Sequence, residues 1–315
     1  MMIMLASAAF VLAAVCAALM GYAIQRGATC TVAAIGELVE NRSAKRLTAL
    51  AEASLWVAGG LAVARLLGLI PSFPAGFALT GTTVIGGMLL GLGAYVNGAC
   101  VFGAIARLGS GDWAYCLTPV GFFAAVASVA TVFGNPMPPS VEHGLASPVW
   151  IALPFIPFAL WRIARVWRKA RNERSLAQHI WAPHEATILI GITFTIMFVG
   201  VGAWTYTDLL IRLAAGMATN YAWQLLLFAA LLTGAIAGGW TAGKLGLRRP
   251  TAMSLVRCFT GGMLMGWGSL MIPGGNDGLI LVGMPFLWPY AWVAIAMMCA
   301  TIAIALFAQR MFRQG

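Results

Sequence analysis

The chain has 315 residues, of which 61% are apolar and only 9% are charged, and its mean hydropathy is +0.89. A soluble domain carries roughly a quarter of its residues as charged side chains, so this composition excludes a water-soluble protein. The net charge of +10 does not indicate nucleic-acid binding, because the cations stand only between long apolar runs. Six cysteines occur without a Cys-x-x-Cys pair or a zinc spacing, so we expect free thiols, no metal and no cofactor.

Nine apolar runs are long enough to cross a bilayer, which takes about twenty mostly apolar residues per helix. Their approximate ranges are 2–24, 47–69, 79–99, 113–134, 147–163, 186–206, 221–243, 255–273 and 286–309. The first run lacks the basic leading segment of a secretory signal, so we interpret it as a retained span. The sequence therefore predicts an all-α polytopic membrane protein with about nine transmembrane helices.

Lysine and arginine mark alternate connections between the predicted spans. They follow spans 1, 3, 5 and 7 and the last span, and they are densest between residues 162 and 174. Cytoplasmic loops carry such an excess of basic residues. We therefore expect a multi-pass protein in the lipid bilayer with its N-terminus outside and its C-terminus in the cytoplasm.

An internal repeat links the two halves of the chain. Residues 86–93, GGMLLGLG, match residues 261–268, GGMLMGWG, at six of eight positions. By the charge pattern the third span runs inward and the eighth runs outward, which is the arrangement of an inverted repeat. We expect residues 1–146 to form the first repeat (spans 1–4), 147–184 a connector with span 5 and a basic loop, and 185–315 the second repeat (spans 6–9).

Helix-breaking residues interrupt the corresponding span in each half. Span 3 ends in Asn97-Gly98-Ala99-Cys100 and span 8 in Pro273-Gly274-Gly275-Asn276, and each precedes an apolar segment too short to cross the bilayer. We predict that both segments are short re-entrant half-helices that begin inside the protein. The free N–H groups and the dipole at such a helix start favour an anion. The earlier glycines of these spans, four residues apart, predict close helix packing instead.

Two cysteines stand beside these elements. Cys30 follows Gln25-Arg26-Gly27 at the inner end of span 1, and Cys100 opens the half-helix after span 3. A thiol at a helix start can donate its S–H group to a soft anion, which favours a sulfur-bearing substrate. Free cysteine usually acts as a small apolar core residue. We expect this of the other four, Cys16, Cys116, Cys258 and Cys299.

The candidate residues of a substrate pathway are those at the predicted half-helix starts. They are Gln25, Arg26, Cys30, Asn97, Gly98, Cys100, Gly274, Gly275 and Asn276. We expect no catalytic residue, and a phosphate-binding loop of the Gly-x-x-x-x-Gly-Lys-Ser/Thr kind is missing from the sequence. Asp277 lies either at the outer interface or in the cavity.

The same residues resemble a known family. Gln25-Arg26-Gly27 with Cys30, then Asn97-Gly98-Ala99-Cys100 and the run Arg107–Gly111, are similar to the YeeE/YedE family of sulfur-compound transporters, and the similarity covers most of the chain. The resemblance implies a bacterial inner-membrane protein that takes up thiosulfate along a narrow path, where cysteine thiols hand the anion inward. It also implies a small soluble sulfur carrier of the TusA kind as a cytoplasmic partner.

The sequence departs from the family pattern at one position. Cys30 and Cys100 correspond to the first two family cysteines, whereas the third falls on Gly275. An unchanged relay of three thiols is therefore excluded, and Asn276 or Asp277 is left to shape the site or alter the substrate. A carboxylate repels a dianion, so we expect that Asp277 faces elsewhere, is paired, or serves a different solute.

Two other functions stay open at this point. One is a membrane thiol-disulfide oxidoreductase that uses Cys30 and Cys100, although such chemistry generally needs a resolving thiol nearby. The other is a membrane subunit that recruits a soluble sulfur carrier through the basic loop.

Overall fold

A computed structural model of the protein describes residues 2–70, 74–133, 140–141, 148–172, 181–217, 221–246 and 248–314. Its α-helices, in chain order, are α1 (Met2–Arg26), α2 (Thr31–Asn41), α3 (Lys45–Leu66), α4 (Gly81–Asn97), α5 (Val101–Gly109), α6 (Leu117–Phe133), α7 (Pro148–Asn172), α8 (Pro183–Val201), α9 (Tyr206–Ala214), α10 (Ala222–Thr241), α11 (Ala252–Met271), α12 (Asn276–Gly278) and α13 (Pro289–Gln314). A 3₁₀ turn at Trp113–Cys116 precedes α6, and a π-helical turn at Leu279–Gly283 continues α12. Two short strands, β1 (Gly76–Phe77) and β2 (Ser140–Val141), pair antiparallel with Gly76 opposite Val141.

Six helical segments of the described chain are long and apolar enough to cross a membrane. They are Ala8–Asn41, Lys45–Leu66, Gly81–Gly109, Pro183–Val201, Ala222–Thr241 and Pro289–Phe312. A seventh span results if Ala252–Met271 and Asn276–Gly283, which meet at a bend of 53°, are counted together. The predicted class of an all-α polytopic membrane protein is therefore confirmed.

The predicted number of nine transmembrane helices is not confirmed. The spans expected at 113–134 and 147–163 fall on α6 and α7. The first has 17 residues, fewer than the roughly twenty that a bilayer requires. The second contains Pro154 and Pro157 and becomes basic from Arg162 onward, which lowers its hydropathy. The boundary at 146–147 and residues 173–180 of the basic loop lie outside the described residues, so the domain limits stay predictions.

Helix packing in the two halves follows one scheme. The start of α9 lies 175 residues after the start of α2, and the same interval separates the starts of α5 and α12. Helix α1 packs on α10 as α8 packs on α3, and α4 packs on α13 as α11 packs on α6. The two copies of the repeated sequence, on α4 and α11, pack against each other. Exchange of the halves thus preserves the main contacts, which supports the predicted duplication.

Glycines allow these helices to approach closely. A Cβ atom on Gly93 would lie 2.7 Å from the Gly261 carbonyl oxygen, and one on Gly261 would lie 2.8 Å from the Gly93 carbonyl oxygen. Further along the same two helices, a Cβ on Gly268 would lie 2.6 Å from the oxygen of Gly86. Small residues let membrane helices pack backbone to backbone, so the repeated glycine pattern positions both breaks side by side.

The Glu52 carboxylate links the connector helix α7 to helices α3 and α8. Arg162 donates from Nε and Nη2 to the two oxygens of Glu52 on α3, each at 2.7 Å. His184 Nδ1, on α8, lies 2.5 Å from Glu52 Oε2, and Trp56 Nε1 donates to Glu52 Oε1 at 3.2 Å. Bidentate pairs of this kind are among the stronger polar contacts, so Glu52 joins the first half, the connector and the second half.

Candidate functional site

Two short helices begin with a cysteine inside the protein. Cys30 is the N-cap of α2 and Cys100 is the N-cap of α5, both with extended backbones. The chain turns sharply just before each of them, with a positive φ of 45° at Ala28 and of 76° at Gly98. Cys30 is 9% exposed and Cys100 is 0% exposed. The turns therefore place both sulfur atoms at helix starts in the protein interior.

Each cysteine contacts the other one's helix start. The N–H group of Thr31, the first residue of α2, donates to Cys100 Sγ at 3.2 Å, and the Cys100 N–H group donates to Cys30 Sγ at 3.5 Å. Neither sulfur caps its own helix, since Cys30 and Cys100 make no side-chain cap hydrogen bond. Each sulfur accepts instead from the backbone at the start of the other helix. The starts of α2 and α5 consequently face one another across a pair of thiols.

Gly103 makes room for the first of these sulfurs. A Cβ atom at position 103 would lie 2.5 Å from Cys30 Sγ and 3.0 Å from the Cβ of Ala99. In protein structures a Cβ atom essentially never lies within 3.0 Å of a non-bonded heavy atom. The glycine one turn into α5 is therefore required by the position of the Cys30 thiol.

The break of the second half meets the same point. Asn276 Oδ1 accepts from the N–H group of Val101, the first residue of α5, at 3.3 Å, and its Nδ2 donates to Thr31 Oγ1 at 3.5 Å. Tyr206, which begins α9, donates its hydroxyl to the Val101 carbonyl oxygen at 2.9 Å. Asn276 is completely buried. The two glycine-rich interruptions therefore lie together, joined through the side chain of Asn276.

Asn97 shapes the first break rather than facing open space. Its Nδ2 donates to the carbonyl oxygen of Ala99 at 2.7 Å, and its Oδ1 accepts from Thr118 Oγ1 at 2.9 Å. The Arg257 guanidinium lies beside this turn, where Nε donates to the Val96 carbonyl oxygen at 3.2 Å. A Cβ on Gly98 would come within 3.3 Å of Arg257 Nη2. The break therefore has a cation next to it.

A large cavity opens next to Cys30. It has a volume of about 970 Å³, and Gly98, Ala99 and Gly103 line it together with the Cys30 side chain. Four basic residues and three acidic ones also line it: Arg46, Arg107, Lys244 and Arg248, with Glu37, Glu40 and Asp112. Arg46 pairs with Glu37 at 3.1 Å, so the lining carries a net excess of one positive charge. We refer to it as the large cavity.

A second cavity of about 280 Å³, which we call the small cavity, lies beside the other break. Its lining includes Gly274 and Gly278 of the interruption, Asp208 and Arg212 of α9, and Ser269 of α11. Cys30 thus borders one cavity and the Gly274 segment borders the other. Cys100 and Asn276, both fully buried, lie between these two linings.

A threonine and an aspartate occupy the space that a third cysteine would need. A Cβ atom on Gly275 would lie 2.5 Å from Thr207 Oγ1 and 2.8 Å from Asp277 Oδ1. Thr207 Oγ1 donates a short hydrogen bond to Asp277 Oδ1, which also accepts from the Gly278 N–H group at 3.0 Å. Asp277 is 2% exposed. Of the two locations considered for Asp277, the structure therefore shows the interior one, with Thr207 as its partner.

Gln25 and Arg26 are placed differently from each other. Gln25 lines the large cavity and donates from Nε2 to Ser110 Oγ at 3.3 Å. Arg26, 1% exposed, donates to Thr241 Oγ1 at 2.8 Å and stacks over the Tyr22 ring at 5.3 Å. The Arg26 side chain is absent from the lining described for either cavity, and it joins α1 to α10. The structure therefore brings Gln25, but not Arg26, to the cavity that Cys30 lines.

Sequence reasoning missed several polar residues of the second half. Thr205 is the N-cap of α9, and its Oγ1 accepts from the Asp208 N–H group at 3.3 Å. It stands 175 residues after Cys30, the interval that also relates Gly275 to Cys100. That offset was the available signal, because it assigns Thr205 to the position of Cys30 in the second copy.

The remaining cysteines follow the expectation with one exception. Cys16 and Cys258 are buried and Cys299 is half-buried. Cys116 is exposed, so its predicted core position is wrong. It ends the 3₁₀ turn before α6, which leaves its side chain on the surface of the helix bundle.

The helical membrane fold, a cavity on either side of the breaks and the interior thiols between them define a membrane transport protein. The sequence model of the protein family described as Sulphur transport matches residues 26–304. The chain belongs to this family. It is 24% identical to the thiosulfate transporter TsuA of Escherichia coli over 321 residues, covering 90% of each chain. It is 27% identical to the thiosulfate transporter TsuA of Spirochaeta thermophila over 258 residues, covering 72% of this chain and 77% of that protein.

Proposed function

We propose that this protein takes up thiosulfate across the bacterial inner membrane, without enzymatic catalysis. Two relatives that align with most of this chain are named thiosulfate transporters. The observation that carries the proposal is the pair of buried thiols, Cys100 and Cys30, each of which accepts from an N–H group at the start of the opposite helix. This arrangement presents S–H and N–H donors to a soft anion and excludes bulk water.

The anion enters by way of the small cavity. Arg212 lies there together with Asp208, so its positive charge is offset by a carboxylate, and the Gly274 segment forms the wall nearest to the break. From this cavity the route continues past Asn276 to the first turn of α5. The amide groups at this helix start carry the positive end of the helix dipole, which offsets part of the cost of moving an anion into the membrane interior.

The thiols then pass the anion inward by exchange of hydrogen bonds. In the structure the Thr31 amide donates to Cys100 Sγ and the Cys100 amide donates to Cys30 Sγ. These bonds use the sulfurs as acceptors, so the S–H hydrogens donate to an arriving anion, first from Cys100 and then from Cys30. No covalent bond forms or breaks in this step. The sulfur pair acts as a gate that opens only for a group able to accept from thiols.

Two thiols are sufficient in this protein because the third family position has changed. Gly275 leaves space that Thr207 and Asp277 fill, and the Thr207 hydroxyl, whose hydrogen goes to Asp277 Oδ1, stands where the third thiol would lie. The donors left for the anion are therefore the two thiols and the helix-start amides.

The large cavity is the exit, on the cytoplasmic side. This follows the distribution of basic residues, which predicts an outside N-terminus and a cytoplasmic C-terminus. The cations that line the cavity hold the released anion near a surface where a TusA-like sulfur carrier would dock. The halves that form the path are the proposed repeats 1–146 and 185–315, joined by the connector 147–184.

Uptake of radiolabelled thiosulfate by liposomes that contain only the purified chain tests this function. We expect Cys100→Ala to abolish uptake and Cys258→Ala, a buried cysteine elsewhere, to preserve it. Uptake by the chain alone would exclude a purely recruiting subunit. Mass-spectrometric mapping of an obligatory Cys30–Cys100 disulfide during turnover would instead support the oxidoreductase, because an exchange of hydrogen bonds requires both thiols to stay reduced.

A further inference from the structure

The buried carboxyl group of Asp277 has no role in the thiol relay described above. It lies directly after Asn276, the residue that joins the two breaks, and its hydrogen-bond donors are the Thr207 hydroxyl and the backbone amides of Thr207 and Gly278. These donors satisfy the carboxylate oxygens while the site is at rest. Ionisable groups inside membrane segments are costly and mark ion or proton pathways by default.

Unpaired polar groups point to a ligand at this position. Ser269 is 0% exposed, lines the small cavity together with Asp208, and its Oγ has no hydrogen-bond partner among the described residues. Trp204 is 3% exposed, and its Nε1 likewise has no partner there. Trp204, Thr205 and Asp277 line a cavity of about 10 Å³, about the space that one water molecule needs. Buried donors of this kind are normally satisfied by water or ligand.

The charged and titratable groups around Asp277 come from three elements. From α9 they are Asp208, whose carboxylate repels that of Asp277, the Tyr206 hydroxyl, and Arg212, which attracts Asp208. Cys100 begins α5, and Tyr290 of α13 faces Asp208. The local balance is therefore two carboxyl groups against one guanidinium. An anion that reaches the break from the small cavity approaches a site that is already rich in negative charge.

Protonation of the Asp277 carboxylate removes its repulsion of the anion. Because an anion next to a carboxylate favours the protonated form, proton binding must strengthen anion binding by the same factor. We propose that Asp277 takes up one proton with each anion, so that anion uptake is coupled to proton entry; this rests on the proposed transport function. The proton binds the carboxylate from the small cavity and leaves on the large-cavity side after the anion. The ionised carboxylate then returns to its bonds with Thr207 and Gly278.

Thiosulfate accumulation in liposomes under an imposed proton gradient tests the coupling. With the membrane potential clamped, one proton per anion gives about tenfold accumulation for each pH unit of gradient, acid outside. A pH-sensitive dye inside the vesicles must report acidification when thiosulfate enters. Thiosulfate entry without acidification, or accumulation indifferent to the gradient, would overturn the coupling while leaving transport intact. Absence of any uptake would instead overturn the proposed function.

Asp277→Asn separates coupling from transport. The amide oxygen still accepts from Thr207 and Gly278 but takes up no proton, so we expect exchange of labelled thiosulfate at zero gradient and loss of gradient-driven accumulation. Glu185→Gln is the matched control, since Glu185 pairs with Lys169 and lines neither the large nor the small cavity, and it should accumulate as the wild type does. Retained accumulation in Asp277→Asn contradicts the proposal. If this variant loses exchange as well, the wild-type measurement decides: internal acidification during thiosulfate entry supports the coupling, and its absence overturns it.

Discussion

Gly103→Ala places one methyl group against the Cys30 thiol. The new Cβ would lie 2.5 Å from Cys30 Sγ, whereas ordinary contacts begin at 3.4 Å, so the sulfur must move by about 1 Å. Overpacking of this kind costs about 1–3 kcal/mol. The displacement also disturbs the bond from the Cys100 N–H group to Cys30 Sγ. Since about 1.4 kcal/mol corresponds to a factor of ten, we expect thiosulfate uptake to fall by about tenfold to hundredfold.

The assay compares initial uptake and thermal stability of purified variants. Gly81→Ala is the control, because a Cβ on Gly81 meets nothing within 4 Å, and it should behave as the wild type does. In the double variant Gly103→Ala/Cys30→Ala the clashing sulfur is gone, so stability should largely recover while uptake stays lost. Wild-type uptake by Gly103→Ala would refute the claim that the Cys30 sulfur must occupy its observed position.

Two further substitutions test the surroundings of the site. Gly275→Cys restores the third family cysteine but brings its Cβ to 2.5 Å from Thr207 Oγ1. We therefore expect a loss of about 1–3 kcal/mol in stability, which the second substitution Thr207→Ala relieves. Wild-type stability of Gly275→Cys alone would contradict the described packing. Glu52→Gln removes the charge that pairs with Arg162 and should cost up to about 3 kcal/mol in stability, measured by thermal unfolding. Uptake kinetics should show an unaltered KM for thiosulfate. A changed KM would place Glu52 on the path of the anion.

The sequence predicted the elements of the site better than their contacts. Pro disrupts a helix, and Asn and Gly favour turns and helix ends, so clusters of these residues predicted the positions of both breaks and of the cysteines beside them. The repeat offset related the two breaks along the sequence, and the structure shows that they lie together. Local signals of this kind do not depend on which distant segment lies opposite.

Contacts between distant segments were not predictable in the same way. The hydrogen bond between Thr207 and Asp277 joins positions 70 residues apart, and the bond from Arg26 to Thr241 joins positions 215 apart. Only the folded arrangement brings these groups into contact. For the same reason the sequence did not show that Gln25 lines the large cavity whereas Arg26, the next residue, bonds to α10.

The predicted count of nine spans was not confirmed, for a different physical reason. Hydropathy alone treats every apolar run as a possible crossing, but α6 has 17 described residues and α7 combines two prolines with a basic second half. Among the described residues, these two helices do not meet the length and composition that a span requires.

The position of the bound anion is the most direct test of the account. Selenosulfate, an analogue of thiosulfate with a terminal selenium, would reveal its site by anomalous scattering or density in a structure of the wild-type protein. We predict selenium within hydrogen-bonding distance of Cys100 Sγ, on the route between Asn276 and Cys30. Selenium bound only at the lipid-facing surface, or along a route that contacts neither thiol, would contradict it.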